Sequence, residues 1–233
     1  MEKLWEDTSG VEEKIKYTFK DKKLLVLAFI HRSFYNENRE LVPGHNERLE
    51  FLGDSVLGLM ISDYLYKHLP TEAEGELSHL RAHLVEATSC VRYLHKLDLE
   101  PFVLLGRGEQ VNVGKGRETI LADLFEALIG AIYLDSDLET VTKFFWKHFE
   151  KDVKAMLKTP SRNWKAELQD YSQRKFQRPP HYVVQKEEGP DHNKVFYVVA
   201  LLDGEEMGAG SGSTKKQAEQ AAAEDALRKM EHG

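Results

Sequence analysis

The feature that most constrains the fold is a change of hydrophobic period near Pro160. Before it, apolar side chains recur at helical spacing over 24–29, 49–66, 77–97, 120–134 and 138–149, and strand-like alternation is nearly absent. Breaks fall at Pro43-Gly44, Pro70, Gly75, Pro101 and the glycine-rich stretch from Gly106 to Gly116. These signals predict an all-helical domain over residues 1–150. Residues 151–161, closing on Lys158-Thr159-Pro160-Ser161, are polar and proline-punctuated, which predicts a linker. Residues 162–231 then predict a second, small α+β domain of order α-β-β-β-α: a helix over 162–175, β-branched and aromatic strands at 181–186 and 195–202, and a tight turn at Asp203-Gly204-Glu205 into a glycine-rich third strand. A closing helix, capped by Ser213 or Thr214, completes it.

Within the helical half, Asn46-Glu47-Arg48-Leu49-Glu50-Phe51-Leu52-Gly53-Asp54-Ser55 places three acids among apolar residues. On a helix Glu47, Glu50 and Asp54 stand at i, i+3 and i+7 and share a face, while Leu49, Leu52, Val56 and Leu57 fall largely opposite. A solvated face ordinarily mixes charge signs, but here only Arg48 is near in sequence, and it points elsewhere. A second pair, Asp123 and Glu126, provides the only charges in the otherwise apolar run from Ile120 to Ala131. Like charges roughly 4 Å apart repel by about 4 kcal/mol at an effective dielectric of about 20. If four of these carboxylates converge, they require protonation or a divalent cation. Hard oxygen donors without clustered Cys or His select Mg²⁺ or Mn²⁺ over zinc. Either pair alone fits a solvated helix face equally well, and spacing does not say whether the two helices meet.

Other patterns are weaker. Glu76-Leu77-Ser78-His79 fits half of a di-iron carboxylate motif, but the chain has one copy where such a site needs two. His79 and His83 lack the intervening Glu of a zinc protease, and the Gly108 to Gly116 stretch ends in Gly-Lys-Gly, unlike a phosphate-binding P-loop. The single cysteine, Cys90, excludes an internal disulfide and a Cys-rich zinc site, and reads as a small core residue. The apolar runs are too short for a membrane helix, and the chain start lacks a signal-peptide core, so a cytoplasmic protein with no membrane partner is expected.

The net charge is −7, and the residues after Pro160 carry 11 basic against 12 acidic side chains. A nucleic-acid partner would therefore have to be held by local cationic clusters. Ser213-Thr214-Lys215-Lys216 provides one, where two lysines add to the partial positive charge of a helix start. Gln169, Asp170 and Gln173 share a polar face of the preceding helix, within reach of ribose hydroxyls.

Taken together, these runs resemble bacterial ribonuclease III over nearly the whole chain. Residues 46–55 match the family signature, His31-Arg32-Ser33 its upstream motif and 120–130 its second acidic helix, and the tail resembles a double-stranded-RNA-binding domain. The resemblance implies a Mg²⁺-dependent endonuclease, with Mn²⁺ as a substitute, that cuts double-stranded RNA to staggered products with 5′ phosphates and 3′ hydroxyls during ribosomal and messenger RNA processing. Carried over by position, Glu50, Asp54, Asp123 and Glu126 become the metal-binding acids, with Asp54 and Glu126 catalytic. Glu47 and Glu74 become additional acids near the cleavage site, and Phe51 a residue packing across a homodimer interface. In the tail, Gln169, Asp170, Gln173, His192, Thr214, Lys215 and Lys216 become RNA contacts, although Asp170 stands where Glu is common and Thr214 where Ser occurs. Such a module spans about 16 base pairs and reads shape more than sequence. A protein that only binds duplex RNA, with vestigial acids, is the alternative.

Overall fold

A computed structural model of the chain describes residues 8–111, 115–158, 164–189 and 194–232. Contacts divide the chain into two compact units, Met1–Pro160 and Ser161–Gly233.

The first unit is helical. It contains α1 (Ser9–Ile15), α2 (Lys22–Ala28), α3 (Arg32–Glu37), α4 (Glu47–His68), α5 (Glu74–Val85) and α6 (Ala87–Lys96). A single 3-10 turn (Glu100–Phe102) leads to α7 (Arg107–Gln110), α8 (Lys115–Asp135) and α9 (Leu138–Lys158). The long helices α4 and α8 form the largest helix pair, and α6 packs on α8. Their apolar faces meet in a core where Tyr93 and Phe125 from α6 and α8 pack against Phe145 and Phe149 from α9, with Tyr93 and Phe149 ring centroids 4.9 Å apart. The buried Tyr93 hydroxyl donates to the Leu84 carbonyl at 3.2 Å, so its one polar atom is satisfied.

Two polar devices fix the approach to α4 and the end of α8. The His31-Arg32-Ser33 motif is a cap: His31 Nδ1 accepts the Ser33 N–H, and Ser33 Oγ accepts the Gly106 N–H at 2.9 Å. This ties α3 to the loop before α7, and the adjacent Ile30 carbonyl accepts the Asn46 N–H at the entry to α4. At the far end of α8 the buried Asp135 carboxylate accepts the Tyr17 hydroxyl at 2.6 Å and the backbone N–H groups of Lys20 and Asp21. Burial, then the hydrogen bond to Asp135, pushes the Tyr17 hydroxyl up to about 12.

Two boundaries differ from the sequence pattern. The periodic run 77–97 is not one helix: it breaks at Glu86, whose backbone is extended (φ −63°, ψ 157°), and Ser89 Oγ donates to the His83 carbonyl across the corner. The turn lets α6 bury Cys90, Tyr93 and Leu94. Likewise α9 runs to Lys158, so most of the stretch expected as a linker is helical, because Val153 and Met156 extend the buried stripe of Phe145 and Phe149.

The second unit contains α10 (Trp164–Phe176), β1 (His181–Glu188), β2 (Val195–Leu202), β3 (Glu205–Gly212) and α11 (Lys215–His232). The strands form an antiparallel sheet in the order β1-β2-β3, and both helices pack on a core of Leu168, Val198, Ala200, Leu202, Ala222 and Ala226. Asp203 (φ 49°) and Gly204 (φ 91°) both adopt left-handed backbone, as a two-residue hairpin turn requires. Thr214 Oγ1 accepts the Gln217 N–H and caps α11. This unit is the small α+β fold that the order of elements in the sequence predicts.

Candidate active site

The crossing of α4 and α8 is set by two glycines. A Cβ on Gly53 would lie 1.8 Å from the Glu126 carbonyl oxygen, and one on Gly130 would lie 2.3 Å from the Leu49 carbonyl oxygen. No other residue permits backbones to approach this closely. Each glycine costs its helix about 1 kcal/mol relative to alanine, which the packing of two long apolar faces offsets. Because Gly53 lies between Glu50 and Asp54, and Gly130 one turn beyond Glu126, the tightest point of the crossing is also where the acids stand.

There the carboxylate oxygens of Glu50, Asp123 and Glu126 all lie within 4.8 Å of one another, each side chain partly buried. Their electrostatics show mutual strain. Burial, then the charges of Asp123, Glu47 and Asp54, raises Glu50 to about 7. Burial and the Glu47 charge raise Asp123 to about 6. Burial, then Asp54, Asp123 and Glu50, raises Glu126 to about 8. Five acids, Glu47, Glu50, Asp54, Asp123 and Glu126, therefore act on this site, but Asp54 is exposed and does not join the three converging oxygens.

Of the two additional acids, Glu47 faces the group without belonging to it. It pairs with Arg32 at 3.4 Å and lies 3.7 Å from His45 Nδ1, so the cation beside Glu47 comes from upstream of the helix and is not Arg48. Glu74 begins α5, accepts the Ser78 hydroxyl at 2.9 Å and is not among the converging oxygens. Cys90, read from sequence as core filling, is fully buried, and its Sγ lies 3.8 Å from Glu126 Oε1. Burial, then the charges of Glu126 and Asp54, pushes the thiol well above its ordinary range.

The donor set fits a hard divalent cation. Three carboxylates at one point, held partly out of water with raised proton affinities, form a charge arrangement that a dication or protons must neutralise. Next to this group, Phe51 points outward with 78% of its surface exposed. It borders an apolar groove of about 790 Å³ whose lining includes Leu24, Leu27, Tyr35, Leu52 and Leu134.

In the second unit, Gln169, Asp170 and Gln173 lie exposed on α10, with Asp170 3.9 Å from Arg174. Lys215 and Lys216 are exposed at the start of α11, and the hydroxyl of Thr214 is engaged in the cap. His192 lies outside the described residues.

Comparison with known proteins agrees with this architecture. Residues 21–153 match the Ribonuclease-III-like family, and residues 164–230 match the Double-stranded RNA binding motif. The chain is 59% identical over 222 residues to ribonuclease 3 of Protochlamydia amoebophila, covering 95% of this chain and 91% of that one. It is 44% identical over 219 residues to ribonuclease 3 of Bacillus cereus, covering 94% and 89%. Among solved structures it is similar to the nuclease domain of ribonuclease III from Campylobacter jejuni, with a TM-score of 0.57 and 40% identity over 62% of this chain and 97% of that domain. That domain is described as flexible in a region involved in dimer formation.

Proposed function

The chain belongs to the ribonuclease III family, and from that premise we propose how it hydrolyses double-stranded RNA: through Mg²⁺ held by Glu50, Asp54, Asp123 and Glu126. The observation that carries this reading is the meeting of Glu50, Asp123 and Glu126 oxygens from two helices within 4.8 Å. When bound there, Mg²⁺, or Mn²⁺ in its place, would supply activation of water for in-line attack on phosphorus and stabilisation of the leaving 3′ oxygen. Products then carry 5′ phosphates and 3′ hydroxyls.

The protein's own residues have distinct tasks. Glu50 and Asp123 are ligands whose proton affinity is raised mainly by burial and by neighbouring acids. Glu126, the most strongly shifted of the three, favours its protonated form near neutral pH in the metal-free protein and would serve as a ligand in its deprotonated form. Asp54 approaches from the solvent side of α4 and completes the charge around Glu126. Glu47, paired with Arg32 and near His45, and Glu74, which accepts the Ser78 hydroxyl, are the additional acids of this reading.

The decisive test is Glu126→Gln. Cleavage of a labelled duplex in Mg²⁺ should fall by several orders of magnitude while binding of the duplex is retained. A purified variant that still cuts at near the native rate would remove the assignment. Native protein should cut in Mg²⁺ and stop in EDTA.

In the same reading the active form is a homodimer, with Phe51 of each subunit seated in the apolar groove of the other, so that two acidic sites cut the two strands with a stagger. A protruding aromatic beside a groove is what supports this. Phe51→Asp should shift the protein to monomer in sedimentation equilibrium; an unchanged dimer would place the interface elsewhere. The substrates are duplex segments of ribosomal and messenger RNA precursors, and the location is the cytoplasm. Among the described residues no helix is long and apolar enough to cross a membrane.

The second unit matches a double-stranded-RNA-binding motif. Within it, contacts from Lys215, Lys216 and Thr214 at the start of α11, from Gln169, Asp170 and Gln173 on α10, and from His192 belong to the proposal. The lysines address phosphates and the α10 amides address ribose hydroxyls.

A further inference from the structure

One acid in the second unit is shared by Lys215, a proposed phosphate contact, and by a second lysine, Lys194. Glu187, near the end of β1, lies across the sheet from Phe196 of β2, which in turn faces Gly212 of β3 just before α11 begins. This register brings the end of β1 to the start of α11. Glu187 Oε1 lies 3.6 Å from Lys215 Nζ, and its Oε2 lies 3.4 Å from Lys194 Nζ. The Lys215 ammonium also sits 5.6 Å from the centroid of the Phe196 ring. Lys194, just before β2, and Lys215, at the start of α11, thus share one carboxylate, one on each oxygen, in the way two cations share a phosphate.

We infer that Glu187 is an internal substitute for an RNA phosphate, and that duplex RNA must displace it from Lys215 and Lys194 to bind. The inference rests on the reading of Lys215 as a phosphate contact. The carboxylate keeps the two ammonium groups together in the free protein, and its negative charge opposes the incoming backbone. It therefore sets a ceiling on affinity for any duplex, independent of base sequence, and favours substrates long enough to engage further contacts. In a nuclease that must release its products, such a ceiling speeds dissociation of short cleaved duplexes.

The test uses full-length protein and a short labelled duplex, with EDTA present so that the RNA stays intact, and reads binding by fluorescence anisotropy across a salt series. Glu187→Gln, which keeps the shape and removes the charge, should tighten binding roughly threefold to fivefold at low salt. It should also steepen the salt dependence, because up to about one more counterion is released. Glu188→Gln, which removes a neighbouring acid paired with Lys186 instead, should leave both nearly unchanged. Lys215→Ala should weaken binding and reduce the gain from Glu187→Gln. If Lys215→Ala weakens binding while Glu187→Gln does not tighten it, or tightens it no more than Glu188→Gln, the inference is overturned and the assignment of Lys215 stands. If Lys215→Ala changes nothing, that assignment fails and the inference falls with it.

Discussion

The α4–α8 crossing and the β3–α11 face use the same packing device for opposite electrostatic ends. In the nuclease unit, Gly53 and Gly130 let two helices meet backbone to backbone, and the residues concentrated there are acids. In the second unit, Gly208, Gly210 and Gly212 of β3 do the same against α11: a Cβ on Gly208 would lie 2.4 Å from the Ala222 carbonyl oxygen, and one on Gly210 would lie 2.2 Å from the Ala222 nitrogen. That contact seats a helix whose first residues are lysines. The difference lies in what is buried. The acids are partly withdrawn from water and their protonation is strongly shifted, whereas Lys215 and Lys216 remain exposed and Lys215 pairs loosely with Glu187. Glycine contacts thus set position, and the degree of burial decides whether the positioned charges suit a cation held by several ligands or a polyanion held at the surface.

The largest test of this parallel is to fill the glycine contacts. Gly130→Ala should destabilise the nuclease unit by about 2–4 kcal/mol in urea unfolding, since the added methyl overlaps rigid backbone. It should also abolish cleavage by separating Glu126 from Glu50. Gly210→Ala should cost a similar amount in the second unit and weaken RNA binding, while Mg²⁺ affinity measured without RNA is retained. Loss of Mg²⁺ affinity in Gly210→Ala would break the comparison.

A smaller effect is expected from pH. Glu50, Asp123 and Glu126 have folded-state proton affinities raised above their ordinary values. Their contribution to stability is therefore fully present below the ordinary carboxylate range and is lost as pH rises through about 6 to 8. Metal-free protein should lose melting temperature over that window, and Mg²⁺ should restore more of it at pH 8 than at pH 6, where protons compete for the ligands. Glu126→Gln should flatten the metal-free profile. A profile equally steep in wild type and variant would show that the acids do not interact as described.

Much of this was legible in the sequence because the information is local. The helical period announces one unit, and the α-β-β-β-α order announces the other. Helical spacing puts Asp123 and Glu126 on one face, and these two do meet Glu50 of α4. What escaped depends on partners distant in the chain. Glu86 breaks a periodic run without a glycine or proline, because burying Tyr93 against Phe125 and Phe149 outweighs continuing the helix. Val153 and Met156 sit among lysines and an aspartate, and only the core beneath them keeps α9 going. Glu47 is paired with Arg32, 15 residues away. Gly53 and Gly130 stood in plain view inside two apolar runs, and an isolated glycine in a helix is a packing signal; its meaning, that the two runs cross there, appears only once the helices are paired. Nothing in the sequence pointed to Cys90 beneath Glu126.

The carboxylate of Asp135 bears on how the nuclease unit can be trimmed. It gathers donors from Tyr17, Lys20 and Asp21 at the last residue of the helix that carries Asp123 and Glu126. A fragment starting at residue 22 would retain every acid of the cluster yet strip this anion of all three donors, fraying the support from below. Where an engineered truncation begins is thus a question about catalysis as much as about solubility.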